Sequence, residues 1–210
     1  MNDWHLPSTT DAFHSLLKEQ EYQKNTREQV FLILKSHGCK FRNCIDGGAH
    51  VGTWSIDLVK HFNWVYAFEP IKELNDCFKK NITAKNYTLY NTALSSHTGT
   101  TTFLYDQSNT GDTFATSEGN IECECVCIDE LDFKDIDYIK LDCEGMEEKV
   151  LEGAVKTLHK HRPILQLEMK NKNLKNFQTN KNNFRKKIEA LGYKRVAKIV
   201  NEEIFVYIGI

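Results

Sequence analysis

Carboxylates close several short apolar runs in this chain, and their positions carry most of its legible chemistry. Cys44-Ile45 ends in Asp46, Trp64–Phe68 in Glu69, Ile136–Leu141 in Asp142 with Glu144 two residues on, and Pro163–Leu167 in Glu168. An ionised carboxylate at such a position is poorly suited to packing and well suited to bind hydroxyls, an amine or a cation. Asp46 leads into Gly47-Gly48-Ala49-His50-Val51-Gly52-Thr53. Glycines there allow a sharp turn and let a ligand approach main-chain N–H groups that a Cβ would shield. Glu69 follows Gly52 by 17 positions (69 − 52), close to the roughly 20 at which dinucleotide folds place an acid for ribose hydroxyls. Two acceptor oxygens on one carboxylate match two vicinal hydroxyl donors. The pattern reads as a nucleoside held by its ribose against a glycine turn. The competing reading is an acid favoured at a helix start by the helix dipole.

The spacing Gly47, Gly48, Gly52 lacks the G-x-G-x-x-G of nicotinamide binders, and no Gly-Lys-Ser/Thr follows to mark a triphosphate loop. An acid ahead of the glycines suits a ligand with positive charge better than a pyrophosphate. S-adenosylmethionine, with its amino group and sulfonium, fits that description.

These residues need strands to hold them in line and helices to join the strands. Periodicity predicts a first strand ending at the glycine turn, then a helix opening at Thr53 with Trp54, Leu58, Val59 and Phe62. Trp64–Phe68 reads as a buried strand, and Pro70 fits the first turn of a helix carrying Leu74, Cys77, Phe78 and Ile82. Tyr87–Tyr90, a short Thr102–Tyr105 strand and 121–128 follow. After Ile136–Leu141 a single helix is expected from Met146 through Val150, Ala154 and Leu158. Pro163–Leu167, a Lys- and Asn-rich loop over 169–181, a helix over 182–191 and strands over 193–199 and 203–209 complete the chain. Ahead of all this, Thr10-Asp11 caps a helix with Phe13, Leu16 and Leu17, and a second helix holds Val30, Phe31 and Leu34 up to Gly38. The alternation predicts an α/β fold: a doubly wound, mainly parallel seven-stranded sheet with an antiparallel closing strand. Ligands of such sheets sit beyond the carboxyl ends of the strands, where the acids lie.

A chain of 210 residues fits one domain, and a formal net charge of −2 points to no polyanionic partner. No apolar run approaches the roughly 18 residues of a membrane span. Met1-Asn2-Asp3-Trp4-His5 lacks the basic-then-apolar layout of a signal peptide, so a cytoplasmic location is expected. The 7 cysteines form no disulfide framework. Cys123, Cys125 and Cys127 alternate along one strand and share a face, where they read as small core hydrophobes rather than ligands of a soft metal.

Asp46-Gly47-Gly48-Ala49-His50-Val51-Gly52 resembles the first motif of class I S-adenosylmethionine-dependent methyltransferases, and Phe68-Glu69-Pro70 their second. Tyr138-Ile139-Lys140-Leu141-Asp142-Cys143-Glu144-Gly145-Met146-Glu147, followed by Val150-Leu151-Glu152-Gly153-Ala154, resembles the FkbM family, as does Glu168 after Ile164–Leu167. The resemblance implies a Rossmann-like methyltransferase domain over 41–210, preceded by a helical region over 1–40 that packs on the sheet or covers the site. It implies methyl transfer to an oxygen of a sugar, glycan or small natural product. The cofactor residues it points to are Asp46, Gly47, Gly48, Ala49, His50, Gly52, Thr53, Glu69, Pro70 and Asp142. His50 stands where the family usually has Asn.

For the chemistry, Asp142, Glu168 and Glu144 are the candidates, with Lys140 on the same strand face as Asp142. A carboxylate accepts the proton of an attacking hydroxyl, or helps bind a divalent cation that acidifies it; both alternatives stay open, and no metal site is assigned. Lys140 also reads as a structural ion partner. In the 95–119 insertion, Asn109-Thr110-Gly111-Asp112-Thr113 offers polar groups to a hydroxylated acceptor. Two other readings stand beside this one. A nucleic-acid methyltransferase is supported by the tract Lys170, Lys172, Lys175, Lys181, Arg185, Lys186 and Lys187, yet lacks the Asn/Asp-Pro-Pro-aromatic run used on base amino groups. A non-catalytic cofactor-binding or interaction module is the other.

Overall fold

Parallel strands need helical crossovers, and the chain supplies them in turn. A computed structural model describes residues 4–7, 17, 23–170, 173–174 and 179–209. The helices are α1 (Lys24–Ser36), α2 (Ser55–His61), α3 (Lys72–Asn81), α4 (Glu147–Glu152), α5 (Val155–His161) and α6 (Lys181–Ala190). The principal strands are β1 (Asn43–Gly47), β2 (Trp64–Phe68), β3 (Tyr87–Tyr90), β8 (Ile136–Leu141), β9 (Ile164–Glu168), β10 (Tyr193–Ile199) and β11 (Glu202–Tyr207). Between β3 and β8 lie β4 (Ala93–Leu94), β5 (Gly99–Leu104), β6 (Phe114–Ala115) and β7 (Ile121–Val126).

The architecture is α/β with a mixed seven-stranded sheet in the order β10-β11-β9-β8-β1-β2-β3. β1 pairs in parallel with β2 and β8, β2 with β3, and β8 with β9. Both pairings of β11, to β9 and to β10, are antiparallel. The expected single sheet with one antiparallel closer falls short in two respects. β11 is an interior strand, because the hairpin through Val200 and Asn201 inserts it between β9 and β10. The expected strands over 102–105 and 121–128, moreover, belong to a separate four-stranded sheet, β4-β7-β5-β6.

Strand β9 is buried throughout and β8 at every residue but Asp137, as expected of strands covered on both faces. One face packs Ile139, Leu141, Leu165 and Leu167 with Val150, Leu158 and Phe184. On the other, α1 buries Val30, Phe31 and Leu34 beside Trp54, Leu58, Val65 and Tyr138. That part of the N-terminal region is therefore built into the core. The helix expected around Phe13 lies outside the described residues; Leu17 is buried in a cluster with Ile71 and Leu74. Cys123 and Cys125 of β7 belong to that same cluster, and burial raises both thiols, Cys123 to about 11. They behave as the small core hydrophobes expected of them.

Two helical expectations are corrected. α3 begins at Lys72 after an extended Ile71, so Pro70 precedes the helix and does not occupy its first turn. The single helix expected from Met146 is split into α4 and α5 around Gly153 and Ala154. A Cβ on Gly153 would stand 2.3 Å from the Ser95 carbonyl oxygen, so the chain after β4 crosses where a continuous helix would have carried a side chain. Among the described residues no helix is long and apolar enough to cross a membrane.

Candidate functional site

The carboxyl ends of β1, β2, β8 and β9 open on one cavity of about 270 Å³. Of the residues singled out from sequence, Gly48, His50, Thr53, Glu69, Pro70, Asp142, Glu144 and Glu168 line it. The insertion covers part of it with Asn109, Thr110, Gly111, Asp112 and Thr113. His50 Nε2 and Thr110 Oγ1, 2.9 Å apart, tie that cover to the glycine turn. Gln23, at the start of α1, also reaches the cavity, and its Oε1 accepts a 2.6 Å hydrogen bond from Trp54 Nε1.

Asp46, Gly47, Ala49, Gly52 and Lys140 do not line the cavity. Asp46 is buried beneath the turn, where its Oδ2 accepts a 2.6 Å hydrogen bond from Ser55 and its Oδ1 faces Lys140 Nζ at 3.4 Å. Lys140 Nζ is also 3.7 Å from Asp142 Oδ2 and lies over the Trp54 ring. Burial alone would lower the Lys140 pKa, but Asp46, Asp142 and Glu202 together raise it above the ordinary lysine value. Lys140 is a buried counter-ion standing behind Asp142.

The glycine turn works differently from the sequence expectation. Four of its N–H groups are spent internally: Gly48 and Ala49 donate to the Phe68 carbonyl, His50 to Glu69, and Gly52 to the Ala49 carbonyl. Gly48 has φ +73, and a Cβ there would meet the Asp142 carbonyl oxygen at 1.9 Å. The residue is glycine because the ends of β1 and β8 pass backbone against backbone. Gly52, at φ +95, gives the same service to Ile82 and Phe78 after and within α3, which a Cβ would approach to 2.9 and 3.2 Å.

Glu69 is 5 % exposed, and each of its oxygens accepts one backbone hydrogen bond at 2.9 Å, Oε2 from His50 and Oε1 from Ile71. Burial pushes its carboxyl up to about 7, against those two N–H bonds and with some help from Asp46. Each oxygen keeps a second lone pair for a ligand.

Across β1 from Glu69, oxygens of Asp142, Glu144 and Glu168 lie within 4.8 Å of one another. Burial, then Asp142, push Glu144 up to about 7, and Lys170 opposes them. The same causes, with Glu144 added, push Glu168 up to about 10. Lys170 Nζ stands 2.9 Å from Glu168 Oε1 and 3.2 Å from Glu144 Oε1. Sequence reasoning left Lys170 in a basic tract, since nothing in its neighbours signals that the chain turns back over the cavity. Glu147 was also passed over. Its Oε1 accepts from the Cys143 N–H at 2.7 Å and the Gly145 N–H at 3.3 Å, bracing the loop that carries Asp142 and Glu144.

Three residues of the basic tract are held in ion pairs, while Lys172 and Lys175 lie outside the described residues. Arg185 pairs with Glu203 and Lys187 with Glu148, while Lys170 belongs to the acidic cluster. Lysines and arginines so committed offer little to a phosphate backbone.

A sequence profile described as Methyltransferase FkbM domain matches residues 46–195. Among solved structures, the methyltransferase FkbM of Methylobacillus flagellatus KT is similar with a TM-score of 0.52 at 17% identity, over 79% of this chain and 43% of that one. The chain thus spans less than half the length of that FkbM protein. A precorrin-6y C5,15-methyltransferase from Geobacter metallireducens GS-15 aligns with a TM-score of 0.52 at 13% identity, over 98% of this chain and 95% of the other. The magnesium protoporphyrin IX methyltransferase of Synechocystis PCC 6803, solved with bound S-adenosylmethionine, aligns with a TM-score of 0.52 at 14% identity, over 88% and 79%. At such identities the likeness speaks to fold. A search of curated proteins gave no match.

Proposed function

The chain belongs to the FkbM methyltransferase family, and from that premise we propose that it transfers the methyl group of S-adenosylmethionine to a hydroxyl of a sugar, glycan or small natural product. One observation carries the reading: a single cavity is bounded by Glu69 on one side of β1 and by Asp142 and Glu168 on the other. The donor set fits the cofactor. Glu69 retains an acceptor lone pair on each oxygen for the ribose diol, and the Asp142 carboxylate suits a ligand with positive charge. When bound, S-adenosylmethionine supplies a methyl group activated by its sulfonium.

The chain's own residues do the rest. Glu69 and Pro70 hold the nucleoside end, and the Asn109–Thr113 cover hydrogen-bonds the acceptor and limits water. Orientation of the acceptor oxygen is the larger part of the task, because a fixed near-attack geometry replaces a bimolecular encounter. Glu168, or Asp142 beside it, then accepts the one hydroxyl proton. Residues 41–210 form the methyltransferase domain in this reading, and the protein works in the cytoplasm.

The test is methyl transfer from labelled S-adenosylmethionine to sugars, glycolipid head groups and natural-product extracts. Label should appear as methyl ether. Transfer to RNA or to amine nitrogen, with none to hydroxyls, would replace the acceptor class proposed here.

A further inference from the structure

Three carboxylates with oxygens this close repel one another, and a proton or a positive charge among them relieves the repulsion. We propose that Lys170 is the built-in cation of the Asp142–Glu144–Glu168 cluster, its ammonium standing where a divalent ion would otherwise bind. The contacts carry the inference. Lys170 Nζ bonds Glu168 at 2.9 Å and Glu144 at 3.2 Å from a residue only two positions beyond Glu168. Glu144 is committed at both oxygens, since Asn173 Nδ2 donates to the one that Lys170 leaves. Its backbone is left-handed at φ +51, a conformation that non-glycine residues rarely adopt, and these two donors hold it there. A magnesium ion needs near-octahedral oxygen ligands at about 2.1 Å, so it would have to displace the ammonium and pull Glu144 away from Asn173.

The arrangement assigns unlike roles to like residues. Glu144 is a clamp between the loop after β8 and the segment after β9. Asp142 and Glu168 are the carboxyls left to the cavity. Lys170 lines the cavity too; a lysine ammonium has three donors, of which the glutamates take two, and the third is available to an acceptor oxygen. That last role rests on the methyl-transfer reading. The charge arrangement does not, and it is tested without turnover.

Manganese binding to the full-length protein, followed by the loss of the free-ion electron paramagnetic resonance signal, reads the cluster directly. Wild type and Lys170→Arg, which keeps the charge, should show no saturable site up to millimolar manganese. Lys170→Ala and Lys170→Gln should each gain one saturable site at least tenfold tighter, and adding Glu168→Gln should remove it. The glutamine variant keeps a polar group in place should the alanine variant fold poorly. A saturable manganese site in wild type that is lost in Glu168→Gln would overturn the proposal. So would folded Lys170→Ala and Lys170→Gln proteins that gain no site. Failure of S-adenosylmethionine to bind wild type would instead count against the methyltransferase reading and leave the manganese result standing.

Discussion

Lys140 and Asp46 form an ion pair sealed under the site, Nζ to Oδ1 at 3.4 Å, with Lys140 1 % and Asp46 0 % exposed. They come from neighbouring parallel strands and face each other in register. A buried pair of this kind is weak evidence for net stability, because desolvation offsets the attraction; removing one partner, however, strands the other charge.

Lys140→Met should therefore cost about 3–5 kcal/mol by urea unfolding. Lys140→Met combined with Asp46→Asn should recover more than half of that loss, since the fully buried partner is then neutral and only Asp142 and Glu202 lose their counter-ion. Additive losses in the double variant would mean that the two residues are not coupled.

Gly48 offers a sharper structural test. A Cβ at this position collides with the Asp142 carbonyl, whereas Gly38, at a similar φ of +74, has nothing within 4 Å. Gly38→Ala should cost about 1–2 kcal/mol, the penalty of the left-handed conformation alone. Gly48→Ala should cost roughly 3 kcal/mol or more, or prevent folding, because backbone must move. Equal melting temperatures for the two variants would contradict the close passage of β1 and β8.

The legible parts of this fold were those set by local pattern. Apolar runs such as Trp64–Phe68 and Ile136–Leu141 announce strands, and the acids that end them share one edge once the strands are parallel. Features decided by a distant segment were not legible. Position 153, between α4 and α5, has no room for a side chain because Ser95 passes beside it, and Lys170 reaches Glu144 because the chain doubles back after β9. The same holds for the glycine turn: its composition announced a turn, but only the neighbouring Phe68 carbonyl and Glu69 carboxylate reveal where its N–H groups go.

With Glu69 as the proposed ribose acceptor, cofactor affinity should depend on pH. Burial lifts its carboxyl from about 4.5 to about 7 in the folded chain. Since the folded value is raised, this group's contribution to stability is full below about 4.5 and is lost as pH rises through about 7. Ribose hydroxyls need the ionised form as acceptor, so S-adenosylmethionine affinity should fall on acidification below 7, approaching about tenfold per pH unit. Glu69→Gln should bind weakly and flatten the profile. Glu69→Ala should lose about 1.5–3 kcal/mol of binding, the scale of hydrogen bonds to a charged group. Calorimetric titrations at several pH values check all three, and an unchanged profile in Glu69→Gln would remove this residue from ribose recognition.

In the proposed reaction Glu168 should bear on turnover, and Asp142 on turnover and in part on cofactor binding. Both line the cavity at the ends of the adjacent strands β8 and β9, yet their surroundings differ. Asp142 has the Lys140 ammonium behind it at 3.7 Å, while Glu168 is crowded by burial and by the Asp142 and Glu144 charges, which push its carboxyl up to about 10. Burial and those charges raise the carboxyl while the Lys170 ammonium 2.9 Å away opposes them, so the rate should climb with pH above neutrality if Glu168 takes the hydroxyl proton. Glu168→Gln should abolish that climb and lower turnover by about 10²–10⁴-fold, the range of general-base contributions, with S-adenosylmethionine affinity changed little. Asp142→Asn should lower turnover comparably but keep the alkaline climb, and lose some cofactor affinity with its charge. Single-turnover rates across this pH range separate the two roles. A climb that survives in Glu168→Gln and vanishes in Asp142→Asn would exchange them, and near-normal rates in both variants would reduce the site to one that works by positioning alone.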